Sequence, residues 1–146
     1  MACFFFNHKD STMFRNRERA SQLISFEGMK YGLCSPTDID LTLDFKGKTF
    51  VYAELKFKHT PLTQGQRIYI SNVVKSHFAA GNHAVGIVAW HEEHDPDYDV
   101  QAKEAKVIEA IGQDGRWVRL SSQNFTLDEY IKKVYNYHLE RNNLQY

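Results

Sequence analysis

The chain has 146 residues, 42% of them hydrophobic and 14% aromatic, with 18 basic side chains against 18 acidic ones. This length suits a single domain, 1–146, with one core, and a formal charge of zero does not advertise a nucleic-acid binder. No apolar run is long enough for a membrane span, "MACFFF" lacks the charged start of a signal peptide, and Cys3 and Cys34 fit neither a disulfide scaffold nor a metal-ligand spacing, so a soluble cytoplasmic protein with free thiols and no membrane partner is expected.

Residues 11–25, "STMFRNRERASQLIS", predict a first helix, with Ser11 or Thr12 as cap and Phe14, Leu23 and Ile24 as an apolar stripe. An irregular stretch with two glycines and Pro36 follows. Residues 38–45 and 49–57 alternate apolar and polar with period two and predict two strands joined at "KGK". Ile39, Leu41, Leu43 and Phe45 should point one way on the first, and Val51, Ala53, Leu55 and Phe57 one way on the second. A helix is expected from near Thr63 to near Gly81, with Gly81 and Asn82 as C-cap residues. "HAVGIVAWH", 83–91, reads as a buried strand, and "EEHDPDYD" as a polar loop. A hairpin turning at Gln113-Asp114-Gly115 and a last helix, 127–141, capped by Thr126, complete the chain. This order gives a mixed central β-sheet flanked by helices, in the α/β or α+β class.

The hairpin carries the chemistry. If both apolar sets face one core, Asp38, Asp40, Thr42 and Asp44 share the other face with Tyr52, Glu54, Lys56 and Lys58. A loop of Phe45-Lys46-Gly47 sets Asp38 opposite Glu54, and a loop of Lys46-Gly47-Lys48 sets Asp40 there. A two-residue Lys46-Gly47 turn splits the carboxylates unless a bulge restores the register. An Asp and a Glu converging across strands can hold a hard divalent cation, with the Leu55 main-chain carbonyl as a third oxygen. Lys56 reaches the same space and can orient or deprotonate a water. The plainer alternative is a solvated sheet face with modest cross-strand charge attraction.

Other features carry less. Residues 1–80 hold 11 basic and 7 acidic side chains, and 81–146 hold 7 and 11, so a local basic face is compatible with zero net charge. "WHEEHD" offers His91 and His94 but reads as a solvated acidic loop. Tyr130, Tyr135 and Tyr137 sit at helical spacing that suits packing better than base stacking.

"SPTDID" followed by "VYAELK" resembles the PD-(D/E)xK nuclease superfamily, and the surrounding stretch is similar to its small phage or prophage-type and Holliday-junction-resolvase-like members. The resemblance covers about the first 90 residues. It departs from the pattern in that Thr37 separates the proline from two competing aspartates. It implies a restriction-endonuclease-like core over about 13–91, with 92–146 as a C-terminal extension. It implies a Mg²⁺- or Mn²⁺-dependent endonuclease that cleaves phosphodiesters, DNA favoured over RNA, in the cytoplasm of a host cell if phage-encoded, with a homodimer as one assembly. By the same resemblance Asp40 and Glu54 are metal ligands, with Asp38 as the competing aspartate. Lys56 assists the water, and Gln66, with Gln64 as the other option, supports the site. Glu18, or else Glu27, is an extra ligand, and Arg15, Arg17, Arg19 and Arg67 contact phosphates. The alternative from a different class is a nuclease-like fold kept as a nucleic-acid- or protein-binding module without catalysis.

Overall fold

The structure, a computed structural model, describes residues 25–143. The helix expected over 11–25 falls almost wholly outside them. The chain divides into two compact units, Met1–Pro36 and Thr37–Tyr146. In the first, Tyr31 and Cys34 pair across a tight turn, each backbone N–H donating to the other's carbonyl at 2.8 and 3.0 Å. Gly32 takes the left-handed φ of 64° which that turn needs.

The second unit is α+β: a five-stranded mixed sheet with two α-helices. Its elements are β1 (Leu41–Phe45), β2 (Thr49–Phe57), α1 (Gln64–Ala79), β3 (His83–His91), β4 (Lys106–Ile111), β5 (Trp117–Arg119) and α2 (Leu127–Arg141). The strands lie in the order β1-β2-β3-β4-β5. Only β2 and β3 run parallel, joined through α1, and the other neighbours are antiparallel. A parallel pair needs such a crossover, since its strands cannot be joined by a tight turn. The central β3 is buried over six consecutive residues, which is why it reads as an unbroken apolar run rather than an alternation.

Period-two alternation sorts the side chains onto two faces. Val51, Ala53, Val85, Ile87 and Ala89 form one core with Leu127 and Val134 of α2. Ala84, Val88 and Ile111 form the other with Ile70 and Val74 of α1. Gly86 lets α1 come close: a Cβ there would lie 2.3 Å from Ile70 Cγ2 and 2.7 Å from Ile111 Cγ2. Both helices begin in capping boxes, Thr63 with Gln66 and Thr126 with Glu129. The end of α1 is stopped by Gly81 at φ 83°, with Gly81 N–H donating to Phe78 O and Asn82 N–H to His77 O. The C-cap itself is Ala80, and Gly81 is the residue after it.

Three expectations need correction. The first strand starts at Leu41, not at residue 38, because the chain bends at Asp40. Ile39 consequently packs on the α1 core and not with Leu41, Leu43 and Phe45 on the α2 core. Phe57, at the far end of β2, is 41% exposed rather than buried with Val51 and Ala53. The polar face of β2 is also not a solvated face. The α1 helix covers it, and Glu54 is 1% exposed.

Candidate active site

The turn between β1 and β2 fixes which carboxylates meet. Lys46 and Gly47 both have positive φ, 56° and 67°, and Lys48 N–H donates to Phe45 O at 3.1 Å. That is a tight turn of the kind that suits strand twist. Phe45 nevertheless pairs with Thr49, so Lys48 is one extra residue in the second strand. The bulge restores the register that places both apolar sets on one face. Leu41 pairs with Ala53, and one step further Asp40 stands opposite Glu54. Asp44 serves the turn instead, its Oδ1 accepting the Gly47 N–H at 2.6 Å.

Just before β1 begins, the side chain of Asp40 takes over from its backbone. Leu55 N–H donates to Asp40 Oδ2 at 2.8 Å. Backbone groups alternate sides along a strand, and Lys58 N–H donates across to His91 O of β3. Leu55 therefore presents both its N–H and its carbonyl to the β1 edge, on the same side as Asp40.

Glu54 is surrounded asymmetrically. Its Oε2 accepts from Gln66 Nε2 at 3.0 Å and lies 3.5 Å from Lys56 Nζ. Its Oε1 is buried and, while both acids are charged, receives no hydrogen bond among the described residues. A buried carboxylate oxygen without a donor is exceptional in a folded protein. Burial, then the charge of Asp40, push the Glu54 carboxyl up to about 7 against the opposing pull of Lys56, and a hydrogen bond between the two carboxyls, which exists only while one of them holds a proton, adds to this. Without a cation the pair therefore tends to hold a proton. A divalent ion between them would replace that proton and supply the missing partner of Oε1.

Gln66 is held as firmly as the acid it contacts. Its Oε1 accepts from Thr63 N–H at 3.3 Å and from Thr63 Oγ1 at 3.2 Å, which turns its amide nitrogen to Glu54. Sequence reasoning singled out Gln66 but missed Thr63. The signal was present, since Thr-x-x-Gln before a helical run is a capping box. It placed Tyr52 on the same face but missed its partner: Tyr52 Oη hydrogen-bonds His77 Nε2 at 2.7 Å while the imidazole stacks on Phe50.

The structure brings Asp40, Glu54, Leu55, Lys56 and Gln66 together. Asp38 is exposed and precedes the strand, and Gln64 is the exposed first residue of α1. Glu27 lies in the first unit, its N–H bonded to Ser25 Oγ at 3.2 Å. Glu18, Arg15, Arg17 and Arg19 lie outside the described residues. Arg67 is committed elsewhere: both its terminal nitrogens donate to the carboxylate of Glu109 on β4, at 3.1 and 3.0 Å, and its guanidinium sits 4.8 Å from the centre of the Trp117 ring. Among the described residues no group of three or more His, Cys, Asp and Glu side chains is placed to hold a metal ion, so a cation here would rest on two carboxylates and a carbonyl. Tyr130 packs on the α2 core, Tyr135 lies against Phe45 and Tyr137 against His83. No helix among the described residues is long and apolar enough to cross a membrane. No protein family, curated protein or solved structure matches the chain.

Proposed function

We propose that the chain is a divalent-metal-dependent endonuclease with a restriction-endonuclease-like core, hydrolysing phosphodiester bonds, with DNA as the favoured substrate. The observation that carries this reading is the unpartnered, buried Oε1 of Glu54, beside a second carboxylate and an ammonium group. Asp40, Glu54 and the Leu55 carbonyl would hold Mg²⁺ or Mn²⁺, both hard ions that take oxygen ligands and keep several waters. The bound ion supplies Lewis acidity toward the phosphate and a water of lowered pKa.

The chain's own groups do the rest. Gln66 and Lys56 occupy Oε2 of Glu54, so the carboxylate turns its other oxygen to the cation. Asp40 is anchored at the strand end by the Leu55 N–H. Lys56 is 20% exposed, so its ammonium is partly desolvated yet open to a ligand. Placed there, the ammonium donates to a phosphate oxygen, counters the negative charge that develops on it, and orients the attacking water.

The test is cleavage of single-stranded, duplex and branched DNA and of RNA, each with Mg²⁺, Mn²⁺ or chelator. Lys56→Ala should lower cleavage by about 10²–10³-fold, the usual contribution of one preorganised donor aimed at developing charge, with an unchanged circular dichroism spectrum. Full activity in that variant rejects the role given to Lys56. Activity insensitive to chelator rejects the reading itself. The commitment of Arg67 to Glu109 favours a second reading, a non-catalytic module of the same core. Such a module would bind its partner without a divalent ion and tolerate Glu54→Gln.

A further inference from the structure

A cavity of about 640 Å³ opens at the carboxyl ends of β2 and β3, between those strand ends and the segment around residues 99–106. The active-site reading does not use it. Its volume is within the roughly 300–1,000 Å³ of small-molecule sites, and the carboxyl ends of parallel strands are where open α/β sheets place ligands. Its distance from the reacting groups is set by the sheet. Trp90, which lines it, is the direct ladder partner of Lys56, one strand spacing of about 4.8 Å away.

The walls have a particular chemistry. Trp90 is fixed in place: its Nε1 donates to Thr60 O at 3.2 Å, and the imidazole of His59 meets its ring edge-on at 4.9 Å. His59 reaches that position from a left-handed backbone, φ 66°, which few residues other than glycine adopt. The floor is apolar and buried, with Ala105 and Ile108 each no more than 3% exposed. The rim is polar and exposed, with Gln101 and Glu104. Charge among the lining residues is acidic on balance: Lys58 and Lys106 face Glu92, Glu93, Asp99 and Glu104, and Lys58 is already paired with Glu92.

An aromatic wall, an apolar floor and a polar rim match a flat group with apolar faces and a hydrogen-bonding edge. The acidic balance disfavours a phosphate and suits a neutral ring whose edge donates. We propose that this cavity takes one unpaired nucleobase bearing an exocyclic amino group, stacked on Trp90, with its amino edge toward Glu104 at the rim. The inference rests on the nuclease reading for the phosphodiester attached to that base. It deepens that reading into a preference for strands that are single, frayed or branched, because a paired base cannot enter.

The experiment separates the two ideas. The chain has two tryptophans, and Trp117→Phe leaves Trp90 as the only indole reporter. Its fluorescence is titrated in chelator with cytidine and adenosine, with uridine, ribose and spermidine as comparisons. Saturable quenching by cytidine and adenosine, weaker with uridine and absent with ribose, is expected. It should persist when Glu54→Gln is added, since a nucleoside carries no phosphate for the metal site. Quenching by spermidine alone, or no saturation by any nucleoside, overturns the base pocket. In the wild-type background, Trp90→Ala should reduce cleavage of single-stranded DNA at limiting substrate by roughly 5- to 150-fold, the worth of one base–aromatic stack. It should also abolish the preference for an intact strand over one with an abasic site at the scissile position. Wild-type protein that cuts intact and abasic strands equally overturns the pocket and leaves the nuclease reading standing. Nucleoside binding without cleavage under any metal upholds the pocket and removes the nuclease.

Discussion

Replacing Glu54 by glutamine should make the metal-free protein more stable and metal-blind. The glutamine keeps the shape of the side chain and an oxygen to accept from Gln66, and it removes the charge. In the folded chain the carboxyl is raised from 4.5 to about 7. At about 1.4 kcal/mol per pH unit this sets an upper figure of about 3 kcal/mol for holding the charged form at pH 8. Asp40 is exposed, so solvent screens its share, and about 2 kcal/mol is the working expectation. The sign follows from linkage. A carboxyl that binds its proton more tightly folded than unfolded favours folding at low pH, and this advantage is lost as pH rises from about 4.5 through 7. Urea unfolding in chelator should therefore show Glu54→Gln above wild type by about 2 kcal/mol at pH 8 and level with it near pH 4. Added Mn²⁺ at about a hundred times its dissociation constant should then raise wild type by about 2.7 kcal/mol and leave the variant unmoved. A variant less stable than wild type at pH 8 in chelator, or one that gains equally from Mn²⁺, refutes the account of Glu54 as a strained cation ligand.

Thr63→Ala removes the hydroxyl that caps the helix and one of the two hydrogen bonds on Gln66 Oε1, the one from the Thr63 backbone N–H remaining; a loss of about 1 kcal/mol in urea unfolding is expected, with Thr63→Ser restoring it. Weaker Mn²⁺ binding should accompany the loss, because the Gln66 amide that faces Glu54 is then held by one hydrogen bond on its oxygen instead of two. Gly86→Ala forces a methyl group against Ile70 and Ile111 and should cost about 1–3 kcal/mol, read from the same unfolding midpoints. His138 is buried beside Thr49, Nδ1 to Oγ1 at 3.0 Å, and burial holds its imidazole below the ordinary value. Its stabilising contribution is complete above the unfolded value of about 6.5 and lost as pH falls below it. That slope opposes the one from Glu54, so it is best measured in the Glu54→Gln background, where adding His138→Gln should flatten the decline between pH 7 and 5.

Much of this arrangement was legible in the chain. The helix 127–141 with its Thr126 cap and the strands 49–57 and 83–91 follow from periodicity and punctuation, because each element is anchored at its ends by local chemistry. The pairing of Asp40 with Glu54 was one of three registers, and the apolar pattern pointed to it over the bare Lys46-Gly47 turn. Both hold at once because Lys48 is an extra residue, which no turn propensity states. Periodicity also left open what lies over the polar face of β2. Alternating Tyr52, Glu54 and Lys56 look alike whether water or a helix covers them, and the apolar side chains of α1 do not mark its contact: Ile68 and Tyr69 are exposed while Gln66 is buried with Ile70 and Val74. The break at Asp40 escaped for a related reason, since Ile39 continues the strand pattern in sequence while its side chain crosses to the opposite core. The tie of Arg67 to Glu109 joins residues 42 apart, beyond the reach of any local pattern.

The Leu55–Asp40 bond spans only fifteen residues. Chain closure grows costlier with loop length, and short-range contacts form sooner than long ones. The hairpin can therefore assemble its two acids while both are still hydrated, before the crossover helix docks over Glu54. Water shields like charges well, so their repulsion is small at that stage. The conflict between the acids arises only late, as the helix settles and expels solvent, and a cation present at that moment would act on the final step of folding rather than on its nucleus.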